Sequence, residues 1–418
     1  MNSERRGTLI VGASQAGLQI ATSLRDLGDT EPIVLVGSEK RAPYQRPPLS
    51  KAYLAGKATA DSLAFRQPEW YDDNRIDLRL STKIERIELD DPRGGAGVAV
   101  THAGEKIGFA GLALTVGGRA RRLQLPGVDL HGVCYLRHLR NAHELRDRLA
   151  LAEHVVVVGG GFIGLEAAAA ARAADKDVTV VDVADRLLGR AVAPVVSAFY
   201  RRAHERRGAH ILLETGLERI EGNEAGEVSG VRLADGRLLP ADLVLIGIGL
   251  EARTELAVQL GLEVDRGIVV DAAARTSNPA IVAAGDCTTL PHPLTGEGRV
   301  RIESVQNAIA QAQAAAASLL GREANVRSVP WFWSDQGDIK LQIAGLSNGY
   351  DQVVVRGEPD TEQFSVLYYA AGRLIAVDAI NTPRDYMVVR KLLGKGGSIP
   401  AALSADAARP LKELVSLA

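Results

Sequence analysis

The sequence predicts an α/β protein built from two strand, glycine-turn and helix units, followed by a smaller α+β domain. Three observations predict it. Four consecutive β-branched residues, Val155–Val158, run through Gly159, Gly161 and Gly164 into an alanine-rich stretch, the pattern of a buried parallel strand, a tight turn and a helix start. The same order occurs near the N-terminus, where the apolar run 8–12 leads through Gly12, Ser14 and Gly17. From Pro330 onward the pattern changes to short alternating strands at 340–346, 351–357, 364–370 and 373–380, with helices from Arg384, as expected of an α+β domain.

The glycines of the second unit have separate tasks. Gly159 makes the turn, Gly161 lets a pyrophosphate approach the backbone, and Gly164 lets the helix pack close to the strand. Phosphates then sit at the helix N-terminus, where unpaired N–H groups and the dipole favour negative charge. The next strand, 177–182, ends at Asp182, whose carboxylate is placed to accept from a ribose 2′-hydroxyl and to repel a 2′-phosphate, so NADH is expected over NADPH. Arg186 and Arg190 follow and are taken as loop charges.

In the first unit a strand at 33–37 precedes Glu39, twenty-two positions past Gly17, again where a carboxylate meets a ribose. Two nucleotide sites are therefore expected in one chain. Ser14 occupies the middle glycine position: it either crowds the pyrophosphate or donates its hydroxyl to it, and the need for close backbone approach favours crowding.

The segment 44–51, YQRPPLSK, is read as a non-helical loop because of its prolines, with Arg46 and Lys51 as its charges. Strands are expected within 77–89, 98–101 and 106–118, then at 211–214 after a polar helix containing 201–207. Asp235-Gly236 between 231–233 and 237–239 is a hairpin turn. The run 243–249 closes the second unit much as 112–118 closes the first, an internal duplication. Segments at 268–271 and 281–287 and a helix at 305–320 return to the first unit. The expected domains are 1–118 with 246–325 for the first nucleotide, 119–245 for the second, and 326–418 at the C-terminus.

Composition narrows the function. With 418 residues the chain exceeds one compact core. Lys+Arg 49 against Asp+Glu 51, a formal charge of -2, gives no bulk signal for nucleic acid or membrane. Only Cys134 and Cys287 are present, far apart, which argues against a disulfide framework, a metal site or an iron–sulfur cluster held by this chain. No apolar signal core precedes the first strand and no run approaches bilayer length, so a cytoplasmic protein is expected.

These motifs, with RPPLSK at 46–51, AAGDC at 283–287, ESVQNA at 303–308 and PWFWSDQ at 330–336, resemble the two-dinucleotide-binding flavoprotein reductases. Within them the chain is similar to the FAD-dependent NADH:ferredoxin reductases that serve bacterial cytochrome P450 and ring-hydroxylating dioxygenase systems. The resemblance covers nearly the whole chain. It implies two nested Rossmann-like dinucleotide-binding domains of the glutathione reductase type plus the C-terminal α+β domain. It further implies that FAD is held by Gly12, Ser14, Gly17, Glu39, Arg46 and Lys51, with Asp286 on the ribityl chain, the backbone near Val305 at the flavin edge, and Trp333 in the flavin region. NADH would be held by Gly159, Gly161, Gly164 and Asp182, and Lys51 and Glu166 would form a catalytic ion pair near flavin N5. Besides Ser14, the chain departs from the family pattern at Val116 and at Ala252-Arg253.

The implied function is reduction of a separate [2Fe–2S] ferredoxin, which in turn feeds a cytochrome P450 or dioxygenase. Arg299, Arg301, Arg384, Arg390 and Lys391 are the local basic residues expected to steer an acidic partner. A disulfide or peroxide reductase needs a thiol near the flavin, and none precedes the proline loop. A monodehydroascorbate-type or quinone-type acceptor needs no such thiol and is the runner-up, with an apoptosis-inducing-factor-like flavoprotein third.

Overall fold

The computed structural model describes residues 7–325 and 328–415, so the domain start expected at 326 lies outside the described residues. The chain divides into two compact units. One comprises the chain up to Gln45, Leu63–Arg119 and Glu251–Pro330; the other comprises Arg46–Ser62, Ala120–Leu250 and Trp331 onward.

In the first unit β1 (Thr8–Val11), α1 (Gln15–Asp26), β2 (Ile33–Val36) and β3 (Ile76–Arg79) are followed by an antiparallel sheet of β4 (Ile84–Leu89), β5 (Gly97–Thr101) and β6 (Lys106–Phe109), then by β7 (Gly111–Leu114). The strand expected across 77–89 is thus two strands. They part at Leu80–Lys83, where Ser81 has a left-handed φ of 51°.

The second unit repeats the plan with β8 (Val133–Tyr135), α2 (Leu139–Leu151), β9 (His154–Val158), α3 (Phe162–Ala173), β10 (Asp177–Val181), α4 (Pro194–Arg206) and β11 (Ala209–Leu212). An antiparallel sheet of β12 (Leu217–Gly222), β13 (Val228–Leu233) and β14 (Leu238–Pro240) comes next, then β15 (Leu243–Ile246). The chain then returns to the first unit through β16 (Ile281–Ala283) and α5 (Val305–Leu319).

The sheet orders show the duplication. The first parallel sheet runs β16-β7-β1-β2-β3 and the second β8-β15-β9-β10-β11. In both, the glycine turn follows the middle strand and the acidic residue follows the next strand in the sheet, the arrangement that sets a nucleotide crevice at the carboxyl ends of the strands. The alanine-rich α5 packs on α1. Its Ala308, Ala312, Ala315 and Ala316 join Ile10, Ile20, Leu24, Ile33 and Leu35 in the first core, which explains why this helix carries so little charge.

The C-terminal sheet is antiparallel, in the order β17 (Trp331–Gln336), β18 (Ile339–Gly345), β21 (Arg373–Ile380), β20 (Gln363–Ala370) and β19 (Gln352–Glu358), with α6 (Pro383–Gly394) after it. The PWFWSDQ motif forms an edge strand that the sequence pattern did not mark, because three consecutive aromatics hide the alternation. The sheet shares a core with the second parallel sheet: Ile339, Leu341, Phe364 and Val366 cluster with Val157, Leu165, Val180 and Phe199, and the Phe199 and Phe364 rings meet edge to face at 5.0 Å. Within the same unit, Pro47–Ser50 forms a 3₁₀ turn rather than an irregular loop. The prolines stand at its first positions, where a missing N–H costs nothing. Among the described residues no helix is long and apolar enough to cross a membrane.

Candidate functional site

The two glycine turns are fixed by their strands. Gly12 and Gly159 have φ of 123° and 109°, a region strained for any residue with a Cβ. A Cβ would also approach the Thr115 carbonyl oxygen to 2.2 Å at Gly12 and the Gly247 carbonyl oxygen to 2.5 Å at Gly159. At Gly17 and Gly164, a Cβ would meet the Gly12 and Gly159 carbonyl oxygens at 2.0 and 2.1 Å, so these glycines let helix and strand touch. Gly161 differs: a Cβ there would meet only the Gly247 carbonyl oxygen, at 4.0 Å. Gly161 and Ser14 are both N-caps with extended backbone, and neither caps through a side chain. The first N–H groups of each helix have no intrahelical acceptor.

Asp182 stands just past β10. Its Oδ2 accepts from Gly160 N at 2.6 Å and its Oδ1 from Ala184 N at 2.9 Å, so the carboxylate is held at the glycine turn. Gly160, which the spacing rule leaves unspecified, is constrained too, since a Cβ there would lie 2.5 Å from Leu187 Cδ2. Arg186 is committed elsewhere: it donates to the Val192 and Gly189 carbonyl oxygens at 2.8 and 2.6 Å and to Ser197 Oγ at 3.2 Å. In the first unit Glu39 accepts from Tyr44 Oη at 2.6 Å, and Thr115, a residue without an expected role, donates its buried hydroxyl to Gly12 O at 2.9 Å.

Lys51 and Glu166 meet. Lys51 Nζ lies 2.6 Å from Glu166 Oε2, and the carboxylate side chain is 1% exposed. Glu166 is the fifth residue of α3, which follows the N-cap Gly161; Lys51 ends the Pro47–Ser50 turn. Ser50 Oγ donates to the same oxygen at 2.5 Å, and Ser334 Oγ donates to Oε1 at 2.7 Å. A buried carboxylate with three donors satisfies the rule that buried charge be paired and hydrogen-bonded. Arg46 donates to the Arg137 carbonyl oxygen at 2.7 Å, tying the start of this turn to the residues before α2.

The remaining expected residues lie on two elements. Asp286 follows β16, next to Gly285, whose N–H donates to Gln311 Oε1 at 2.8 Å. Val305 is the first residue of α5, capped by Ser304 Oγ, which accepts from Asn307 N at 3.1 Å. Two buried amide atoms on this helix, Gln311 Nε2 and Gln306 Oε1, have no partner among the described residues. Trp333 lies on β17 with its ring 5.6 Å from that of Trp331, over which Arg390 stacks at 4.8 Å.

Both cysteines are buried and unpaired, and desolvation pushes each thiol up to about 12, which removes the thiolate that redox exchange requires. Among the basic residues expected to steer a partner, Arg299 pairs with Glu263 at 2.8 Å and Arg301 pairs with Glu303. Arg384 and Lys391 are exposed on α6 at the spacing of one helix face, with Met387 between them 67% exposed. No group of acidic, histidine or cysteine side chains suited to a metal occurs among the described residues.

Residues 7–312 match the pyridine nucleotide-disulphide oxidoreductase family model and residues 331–415 the Reductase C-terminal model. The chain is 44% identical to rhodocoxin reductase of Rhodococcus erythropolis over 97% of this chain and 93% of that one. It superposes with a TM-score of 0.92 on the ferredoxin reductase for the CYP199A2 system of Rhodopseudomonas palustris, at 41% identity over 98% and 99% of the two chains. It superposes at 0.93 on the covalent putidaredoxin reductase–putidaredoxin complex, at 39% identity over 100% and 99%. The fold, the paired glycine turns and these matches agree: the chain belongs to the pyridine nucleotide-disulphide oxidoreductase family and carries a Reductase C-terminal domain.

Proposed function

We propose that the protein is a flavoprotein reductase that takes hydride from NADH onto FAD and passes single electrons to a [2Fe–2S] ferredoxin serving a cytochrome P450 or other oxygenase. The observation that carries this is two dinucleotide cradles in one chain whose cysteines are both buried and protonated. The electrons therefore leave without a protein disulfide. The relatives named as a ferredoxin reductase and as a partner of putidaredoxin favour a carrier protein over a quinone or ascorbyl radical.

The first unit fits FAD. Its Gly12 cradle, the Glu39 carboxylate, Asp286 and the unpartnered Gln311 Nε2 and Gln306 Oε1 offer the donors and acceptors of a pyrophosphate, ribose and ribityl chain. In the second unit Gly161 leaves room for the NADH pyrophosphate, and Asp182 meets the adenosine ribose. Bound flavin supplies two-electron acceptance and one-electron release. The chain's own contribution is orientation and charge. Lys51 places a cation held by Glu166, a preorganised electrostatic effect that strengthens where water is excluded. Trp333 is proposed to lie in the flavin region. With Arg186 committed to backbone carbonyls, the second unit lacks that guanidinium for a 2′-phosphate, which supports NADH over NADPH.

The test is the visible spectrum of the purified protein before and after NADH, followed by NADH-driven reduction of candidate ferredoxins at low and high salt. Flavin bands that bleach, and a ferredoxin rate that falls with ionic strength, are expected, because exposed charges such as Arg384 and Lys391 are screened over about 8 Å at physiological salt. Lys51→Met and Glu166→Gln should keep FAD but slow bleaching by about a hundredfold. A rate with quinone or ascorbyl radical far above that with every ferredoxin would move the function to a small-acceptor reductase.

A further inference from the structure

The donors around Glu166 do not end at Ser334. Ser334 is fully buried, and besides donating to Glu166 Oε1 at 2.7 Å its hydroxyl accepts from Gln336 Nε2 at 3.3 Å. Gln336, 1% exposed, presents its Oε1 to His204 Nε2 at 2.8 Å. An amide oxygen only accepts, so His204 Nε2 carries the hydrogen. His204 is buried on α4, and desolvation lowers its pKa and keeps the ring neutral. From His204 through Gln336 and Ser334, each donor points toward the carboxylate.

Two of these residues lie on β17, an edge strand whose other side chains are aromatic or acidic. A β-strand alternates its side chains, so Ser334 and Gln336 share a face, and both are buried toward α3 and α4. A serine and a glutamine in a fully buried position are costly unless hydrogen-bonded. Here they are spent on one carboxylate.

We propose that Ser334 is a positioning residue for the Lys51–Glu166 pair, with Gln336 and His204 fixing the direction of its hydroxyl. Through Ser334 the C-terminal domain sets which way the Glu166 carboxylate faces, and with it where Lys51 holds its charge. Polar chains of this kind strengthen when every donor is aligned, and lose their direction when one link is removed. The proposal rests on the reading of Lys51 and Glu166 given above.

The test uses the full-length holoenzyme. Ser334→Ala removes the hydroxyl, and Ser334→Cys keeps the side-chain shape with a somewhat larger atom while leaving only a weak donor. Both are expected to slow anaerobic bleaching by NADH on the order of tenfold, the scale of a small misplacement of a reacting group, with the NADH Kd changed by less than about twofold. A second readout is independent of activity: Tm for Lys51→Met, Ser334→Ala and the double variant. If both act through Glu166, the double shift differs from the sum by about 2 °C or more. A Ser334→Cys variant with wild-type bleaching, or strictly additive Tm shifts, would overturn the proposal and leave Ser334 as packing. Unchanged bleaching in Glu166→Gln would instead remove the reading of the pair on which the proposal stands. Slowed Glu166→Gln beside an unaffected Ser334→Ala sinks this inference alone.

Discussion

The two glycine turns obey the same backbone rules and differ at one position. Gly12 and Gly159 share a positive φ and a carbonyl oxygen too close for any Cβ; Gly17 and Gly164 each press a helix onto the turn that precedes it. Those four glycines are demanded by the fold itself. The middle position is not: at Gly161 a Cβ would touch nothing nearer than 4.0 Å, and in the first unit Ser14 stands there with a side chain. A glycine in this fingerprint can therefore answer to the polypeptide or to the ligand, and a comparison of two copies in one chain separates the two demands.

The largest effect expected from this comparison is on folding. Gly12→Ala and Gly159→Ala each place a Cβ within 2.5 Å of a backbone oxygen at a φ that alanine avoids, and each should cost about 3–5 kcal/mol, the range of severe single substitutions. Denaturant unfolding of the full chain measures this directly. Losses below about 1 kcal/mol in both would mean that the turns relax, and the division between fold-demanded and ligand-demanded glycines would fail.

Asp182 sharpens the comparison from the acidic side. Glu39 accepts from the Tyr44 hydroxyl, and Asp182 accepts from the backbone N–H groups of Gly160 and Ala184. Asp182→Ala is expected to lower kcat/KM for NADH by about tenfold, to change that for NADPH less, and to cost about 1 kcal/mol of stability as two backbone donors lose their acceptor. Equal kcat/KM for the two cofactors in the unmodified protein would remove the selectivity assigned to this carboxylate.

Gly161→Ser is the next smaller step, because it copies Ser14 into the second turn. Serine is a good N-cap, and a Cβ there meets nothing nearer than 4.0 Å, so stability should stay within about 0.5 kcal/mol while NADH binding weakens by about tenfold through crowding of the pyrophosphate. Weakened folding with unchanged NADH binding would reverse the assignment.

Much of this was legible in the sequence because it depends on local rules. Glycine spacing, β-branched runs and the Asp235-Gly236 turn act over a few residues, and the duplicated sheet order follows from them. What escaped depends on packing between distant segments. Gly160 is constrained by Leu187, Thr115 by its place under Gly12, and Ser334 by Glu166 across 168 positions of sequence. The strand at Trp331–Gln336 was hidden by its aromatic run, and the 3₁₀ turn at Pro47–Ser50 by prolines that disfavour a helix interior but suit its first turn. The Lys51–Glu166 pair was reached through a motif resemblance; no periodicity connects residues 115 apart.

The smallest expected effect belongs to Ser14→Gly, and it is the sharpest test of the comparison. Ser14 is the N-cap of α1 with extended backbone, φ −141°, which glycine also adopts freely, and its hydroxyl makes no cap bond. Exchanging serine for glycine at an N-cap costs only a few tenths of a kcal/mol, so folding should barely register the change. FAD binding separates the two roles open to the hydroxyl. If the middle position answers only to the ligand, removing the side chain lets the pyrophosphate approach the backbone and the FAD Kd falls by about threefold to tenfold. If the hydroxyl donates to a phosphate oxygen, the same change raises the Kd instead, by about tenfold to a hundredfold, since a hydrogen bond to a charged group contributes about 1.5–3 kcal/mol. Crowding is the expected outcome. Fluorescence titration of the apoprotein with FAD decides the sign, with Glu39→Ala measured alongside. A Kd unmoved by both substitutions would mean that FAD is not held by this turn, and the parallel between the two cradles would end at the backbone.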